Sequence, residues 1–240
     1  MLLWALGLLL ASPARAEKVV FKSGDGTRLV ADWRAPRRGQ PVFVLLHGLG
    51  AGRGEWIFFV ARAAARGWGT LAIDMRGHGD SGGPSYTTFR GPADWLKAAG
   101  DARAGVEWLK KVAHVAPERV VLGGASIGAN LALHAACDEP RVRFVMLLSP
   151  GWNYQGVTLP DQVAAYTRPI LFAAAPTDPY ALRSSQEALR LARSPESALL
   201  TAHDGHGVRM LEGDANKPFA AALFKRLGEL VAETGAAPPK

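Results

Sequence analysis

The sequence predicts an α/β fold, in which one mostly parallel sheet of eight strands carries helices on both faces. Short β-rich runs alternate with helical stretches along most of the chain, and parallel strands require crossovers of this kind. Residues 41–46 and 120–123 lack polar side chains, as expected for strands buried on both faces of a parallel sheet. Two runs of alternating apolar and polar residues flank a Gly-Asp-Gly turn at 24–26 and predict an N-terminal hairpin.

The strand segments follow from composition and spacing. The first two alternate apolar with polar residues and predict strands with one exposed face, whereas the other six are mainly apolar. The eight predicted strands are residues 18–22, 28–34, 41–46, 70–74, 120–123, 144–148, 170–174 and 198–202.

Five stretches between or after the strands have the apolar spacing of amphipathic helices. Gly67 ends the first of them, and Pro92 suits the first turn of the second. Active sites of such sheets lie beyond the carboxyl ends of the strands, so we expect the chemistry there. The predicted helices are residues 54–66, 92–112, 127–137, 180–193 and 218–231.

Composition and charge exclude several classes of protein. The chain has 240 residues, of which 48% are hydrophobic and 20% charged, so it is neither disordered nor collagen-like. The net charge of +7 is spread along the chain, and the densest basic spots are the pairs 37–38 and 110–111. We therefore expect a basic, solvated surface and no nucleic-acid partner.

The first sixteen residues differ from the rest of the chain. Residues 2–11 are almost wholly apolar, and an Ala-Arg-Ala sequence follows at 14–16. This pattern predicts a signal peptide cleaved after Ala16, a mature domain at 17–240, and export to the periplasm or the extracellular space. No Lys or Arg precedes the apolar run, so an uncleaved membrane anchor, or an incorrectly assigned start, remains an alternative. A loose association with a membrane surface is also left open.

Residues 124–128 carry the strongest motif. They read Gly-Ala-Ser-Ile-Gly, directly after a predicted strand and at the start of a predicted helix, which is the required context of the G-x-S-x-G nucleophile turn. The tight turn lifts the Ser126 hydroxyl above the sheet and places the Ile127 amide at a helix N-terminus, where it can stabilise an oxyanion. A phosphate-binding glycine turn is the alternative, but the lysine of that motif is missing.

A second oxyanion donor is predicted in the loop that follows the third strand. This loop reads His47-Gly48-Leu49-Gly50, and we select the Leu49 amide for that role. His47 precedes Ser126 in the chain, so we expect it to hold the loop by hydrogen bonds rather than act as the base.

The base and the acid are predicted after the last two strands. A serine hydroxyl needs an imidazole to take its proton and a carboxylate to orient that imidazole, and the chain order Ser126, Asp178, His206 is a known triad order. His203 competes with His206, but it lies nearer the strand and no glycine follows it. Three other histidines are expected to be surface residues of loops or helices. They are His78, His114 and His134.

These motifs together resemble the α/β-hydrolase superfamily, and in particular its serine esterases and monoacylglycerol-lipase-like members. The resemblance extends from about residue 21 to the last helix. It rests on residues 47–50, on Asp178, and on three longer motifs, which are DMRGHGDSGG at 74–83, GASIG at 124–128 and GHG at 205–207.

The resemblance implies hydrolysis of carboxylic esters through an acyl-enzyme on Ser126, without a metal or other cofactor. Large caps of this superfamily follow the sixth strand, where this chain has only residues 150–168, so we expect little or no cap and small to medium acyl chains. Trp152 and Tyr154 either line an apolar lip there or simply pack over the sheet. Alternatives are a thioesterase, lysophospholipase, amidase or peptidase of the same fold, and a non-catalytic binding module. The sequence indicates no oligomeric state.

Overall fold

The computed structural model describes residues 16–233 of the chain. Its strands match the eight predicted segments within a few residues, and two further strands of two residues each lie in the interval after the sixth. They are β1 (Glu17–Lys22), β2 (Arg28–Arg34), β3 (Val42–Leu46), β4 (Gly69–Asp74), β5 (Val120–Ala125), β6 (Val145–Leu148), β7 (Asn153–Tyr154), β8 (Val157–Thr158), β9 (Ile170–Ala174) and β10 (Ala198–Thr201).

Eight strands form one sheet in the order β1-β2-β4-β3-β5-β6-β9-β10. The predicted hairpin is present, since β1 pairs antiparallel with β2 and places Lys22 opposite Arg28. Strand β2 also runs antiparallel to β4, and every other pairing in this sheet is parallel. The predicted α/β fold with a mostly parallel eight-stranded sheet is therefore confirmed.

The sheet separates two apolar cores. Along β3, Val42, Val44 and Leu46 face one core, whereas Phe43 and Leu45 face the other, which explains why this segment is apolar throughout. The helices are α1 (Ile57–Ala65), α2 (Pro92–Lys111), α3 (Ile127–Cys137), α4 (Pro160–Ala165), α5 (Pro179–Leu191) and α6 (Lys217–Glu233). Helices α2, α3, α4 and α5 pack into the first core, and α1 and α6 pack into the second.

Two segments differ from the expectation. The first predicted helix begins instead as a 3-10 turn, Arg53–Trp56, before α1. The interval after β6 contains the small hairpin of β7 and β8 followed by the six-residue α4, so it holds more structure than a loop and one helix but no lid domain. Strands this short carry no periodicity from which a sequence pattern could be recognised.

The predicted signal peptide lies, apart from Ala16, outside the described residues. Among residues 16–233, no helix is both long enough and apolar enough to cross a membrane.

Candidate active site

Ser126 occupies a strained turn between β5 and α3. Its backbone has φ 56° and ψ −127°, which side-chain-bearing residues rarely adopt and which is typical of functional positions. A Cβ on Gly124 would lie 2.1 Å from the Gly128 carbonyl oxygen, and one on Gly128 would lie 2.4 Å from the His47 carbonyl oxygen. The strand and the helix therefore approach closely enough that only glycine fits on either side of the serine.

His206 and Asp178 meet beyond the carboxyl ends of β10 and β9. The His206 Nδ1 atom lies 2.5 Å from the Asp178 Oδ2 atom, so Nδ1 carries the proton and Nε2 is left as the basic nitrogen. The Gly205 amide donates to the Thr177 hydroxyl at 3.0 Å, which ties the two loops together. The Asp178 side chain is 14% exposed and that of His206 45%, so the acid is shielded while the base can reach a ligand.

The competing histidine, His203, does not contact the predicted acid. Its ring lies 3.4 Å from its neighbour Asp204, and it is exposed. Asp204 in turn accepts a hydrogen bond from the Asn216 amide at 2.8 Å. The structure therefore brings Asp178 together with His206 and not with His203.

The two amides predicted to hold an oxyanion flank the serine without internal partners. Within residues 16–233, neither the Leu49 nor the Ile127 amide donates a hydrogen bond to another residue. Ile127 begins α3, so its amide also lies at the positive end of the helix dipole. Both amides are thus available to a ligand at Ser126.

His47 holds the loop that carries Leu49. Its Nδ1 bonds the Gly48 carbonyl at 2.8 Å, and its Nε2 accepts from the Met75 amide at 3.0 Å. Burial lowers the pKa of His47 to about 4, so the ring is neutral and can serve as donor and acceptor at once. This agrees with the structural role expected for it.

The expectation that His78 lies on the surface is wrong. Only 4% of it is exposed, and its ring stacks on Tyr86 at 4.2 Å and meets His47 edge-on at 4.7 Å. Burial lowers its pKa. His114 is exposed as expected, whereas His134 is half-buried and bonds the Thr158 carbonyl at 2.9 Å.

Ser126 and His206 line one cavity of about 710 Å³. Leu49 and Ile57 contribute apolar surface to this cavity and are 49% and 66% exposed. The sequence prediction missed Glu55, which lies in the same wall and accepts a hydrogen bond from the Gly48 amide at 2.9 Å. Burial raises its pKa to about 7. No sequence motif includes this residue; only the 3-10 turn brings it to the cavity.

Tyr154 lies beside the site, and Trp152 does not contact it in the described residues. The Tyr154 ring packs edge-on against Tyr180 at 5.6 Å, and its hydroxyl donates to the Ser149 carbonyl at 3.4 Å. The Ser149 hydroxyl in turn accepts the amide of Gly207, the residue after His206. Burial raises the pKa of the Tyr154 hydroxyl, so it remains a donor. Trp152 is half-buried, and its amide donates to the Ser184 hydroxyl at 2.9 Å. Their binding of substrate stays a prediction.

The arrangement has the parts that acyl transfer needs. A serine on a strained turn and an imidazole oriented by a carboxylate share one cavity, and two unpartnered amides flank the serine, as in serine-dependent hydrolysis. Among residues 16–233, no three His, Cys, Asp or Glu side chains are grouped so that they could hold a metal ion.

Comparison with known proteins gives the same fold. A family model described as alpha/beta hydrolase fold matches residues 41–228. The chain is 32% identical over 118 residues to the putative carbamate hydrolase RutD of Klebsiella pneumoniae (strain 342), a match covering 49% of this chain and 40% of that protein. The aligned part thus spans only about two fifths of that relative's length.

Two solved structures resemble the whole described domain. DcsB, in complex with a substrate analogue, superposes with a TM-score of 0.79 at 15% identity, covering 91% of this chain and 100% of that one. The Pyrococcus furiosus esterase Pf2001 superposes with a TM-score of 0.74 at 19% identity, covering 91% of each chain. At such identities the likeness concerns the fold alone.

Proposed function

Because this chain belongs to the alpha/beta hydrolase fold family, we propose that it is a serine hydrolase that cleaves carboxylic esters through an acyl-enzyme on Ser126. The observation that carries the proposal is the 2.5 Å contact between His206 and Asp178 beside the cavity that Ser126 and His206 share. The 32% identity to a putative carbamate hydrolase over 118 residues supports hydrolysis at an acyl carbon.

The proposed reaction begins with proton transfer from the Ser126 hydroxyl to the His206 Nε2 atom as the oxygen attacks the ester carbonyl. The amides of Leu49 and Ile127 stabilise the oxyanion, and Asp178 stabilises the imidazolium. His206 then protonates the leaving alcohol. Water repeats the sequence on the acyl-enzyme, with His206 taking its proton, and releases the acid and the free serine.

The proposed substrates are esters with small to medium acyl chains. The interval between β6 and β9 holds only a small hairpin and α4, and the exposed side chains of Leu49 and Ile57 line the cavity. Such a site suits a small acyl group better than a long chain, which would need a deeper apolar pocket. Action in an exported form remains a proposal, based on residues 1–16 of the sequence.

Hydrolysis of p-nitrophenyl esters from acetate to palmitate tests the proposal, with Ser126→Ala as the control. We expect activity on the short chains that is lost in the variant. Activity that rises with chain length would favour a lysophospholipase or lipase. Activity only on amides or thioesters would favour a peptidase or thioesterase, and a folded protein inactive on all of them would favour a binding module.

A further inference from the structure

Glu55 places a carboxyl group beside the nucleophile that the proposed reaction does not use. Its Oε1 accepts the Gly48 amide at 2.9 Å. A Cβ on Gly48 would lie 3.5 Å from the Ser126 Cβ and 3.9 Å from the Glu55 Oε2, so the carboxyl and the serine both lie next to the same glycine. Oε2 has no hydrogen-bond partner within the described residues, and Glu55 belongs to the cavity wall.

No cation of the described chain neutralises this carboxyl. The neighbouring Arg53 is turned away and binds Asp32, Asp74 and Asp80. The other charged or titratable groups that line the cavity are Arg209, Glu212 and His206, and none of them forms an ion pair with Glu55. A half-buried carboxyl without a cation beside it is unfavourable when ionised, which is why burial raises its pKa to about 7.

Glu55 lies on the side of the site that would face the acyl group of a bound ester. Strand β3 lies on one side of β5 in the sheet, and β6, β9 and β10 lie on the other. Glu55 and Leu49 follow β3, whereas His206, which protonates the leaving alcohol, follows β10. A substituent that reaches Glu55 therefore belongs to the acyl group, close to the carbonyl that the Leu49 amide would hold.

We propose that Glu55 is a specificity-determining residue that binds an ammonium group on the acyl part of the substrate, one to three carbons from the scissile carbonyl. This inference rests on the proposed function of the same site. The ammonium group supplies the missing counter-charge, and it also shields the developing oxyanion from a carboxylate of like sign. Aminoacyl esters are the substrate class that fits.

Matched pairs of 2-naphthyl esters test the inference. β-Alanine and butyrate esters have the same length and differ in one terminal ammonium or methyl group, and glycine with propionate and 4-aminobutyrate with pentanoate give a shorter and a longer pair. The readout is the ratio of kcat/KM for the ammonium ester to that for its neutral partner. At pH 8 we expect wild-type protein to favour one ammonium ester about tenfold.

Glu55→Gln keeps an acceptor for the Gly48 amide and removes the charge. We expect the ratio to fall to about one in this variant, while Glu212→Gln, which alters an exposed carboxyl of the same cavity, keeps the wild-type ratio. In wild-type protein the ratio for the β-alanine and 4-aminobutyrate pairs should also rise between pH 6 and pH 8, as Glu55 ionises while these amines, unlike the α-amine of the glycine ester, stay protonated.

Several results would overturn the inference. Wild-type protein could prefer the neutral ester in all three pairs, or its kcat/KM ratio could stay constant with pH. The ratio could also stay unchanged in Glu55→Gln, or fall as far in Glu212→Gln as in Glu55→Gln. If Glu55→Gln lowers kcat/KM for both esters of a pair equally, so that their ratio stays constant, Glu55 only holds the loop. Failure of the proposed function would give a different result from failure of this inference. Wild-type protein would then hydrolyse neither ester, or Ser126→Ala would hydrolyse both.

Discussion

Asp178 meets two requirements with one carboxyl group. Its Oδ2 contacts His206 at 2.5 Å, and its Oδ1 accepts the Ala181 amide at 3.2 Å as the N-cap of α5. Orientation of the imidazole and stability of the helix are therefore coupled at this residue, and substitutions can separate the two contributions.

Asp178→Asn should lower kcat for p-nitrophenyl butyrate by about 10³–10⁴-fold, because an amide favours the wrong imidazole tautomer. The variant keeps the helix cap, so its free energy of unfolding should stay near that of wild-type protein. Asp178→Ala also removes the helix cap, so its free energy of unfolding should be about 1 kcal/mol lower than that of Asp178→Asn. Urea unfolding checks the stabilities. Turnover close to wild type in Asp178→Asn would refute the role of this carboxyl.

Glu55 should make stability depend on pH. Its pKa is raised by burial from 4.5 to about 7 in the folded protein, so the folded state holds the proton more tightly than the unfolded state. The stability that this proton contributes is present below pH 4.5 and is lost as the pH rises to 7. Glu55→Gln should therefore be more stable than wild type at pH 8, by about 2–3 kcal/mol, and by much less at pH 5. Urea unfolding at both pH values measures the difference, and a variant that is less stable at pH 8 would contradict this expectation.

At the residue scale, the sequence predicts only those site residues that belong to a recognisable motif. Ser126 and His206 could be selected because glycines and strand ends mark them. Glu55 has no such marker, since its place in the cavity depends on the 3-10 turn after β3. His78 is predicted at the surface, yet its ring stacks on Tyr86 and meets the His47 ring edge-on.

At the scale of elements, the turn between β5 and α3 determines where the nucleophile stands. The same closeness that excludes side chains at Gly124 and Gly128 fixes the serine above the sheet. The strand–helix alternation could be read from the sequence, because buried parallel strands are apolar throughout. The β7–β8 hairpin could not, because its pairing depends on contacts with α2 and α3.

Gly128→Ala should destabilise the protein by at least about 3 kcal/mol, because the new methyl group would lie 2.4 Å from a backbone oxygen that cannot move aside. Gly228→Ala is the matched control inside α6, where the nearest atom, on Trp68, is 3.9 Å away. It should stabilise by about 0.5–1 kcal/mol. Urea unfolding of both variants tests the difference; a Gly128→Ala protein as stable as wild type would mean that the turn is looser than described.

At the scale of the whole molecule, buried charges connect the antiparallel edge of the sheet to its parallel centre. Arg76, in the loop after β4, bonds Asp101 on α2 at 2.6 Å, and it also bonds Asp25 and Ser23 beside the β1–β2 turn. Asp101 is fully buried, so Arg76 is its compensating charge. The sequence does not reveal these contacts, because Arg76 is 25 positions from Asp101 and 53 positions from Ser23.

Arg76→Met should destabilise the protein by about 3–5 kcal/mol, since it leaves Asp101 buried and unpaired. Lys97→Met, which breaks the exposed ion pair with Asp94, should cost less than about 1 kcal/mol. Esterase activity per folded molecule should be kept in both variants. Thermal unfolding and active-site titration measure the two effects, and equal stabilities would show that the buried pair contributes no more than a surface one.

The central claim is that Ser126 is the nucleophile of an acyl-transfer site. Reaction with a fluorophosphonate probe, followed by intact-mass and peptide mass spectrometry, tests it most directly, because the phosphonate is captured only by a serine that a base activates. We expect one adduct per chain, located on Ser126, absent from Ser126→Ala and strongly slowed in His206→Ala. No adduct on a folded wild-type chain, or an adduct on another residue that persists in Ser126→Ala, would contradict the account.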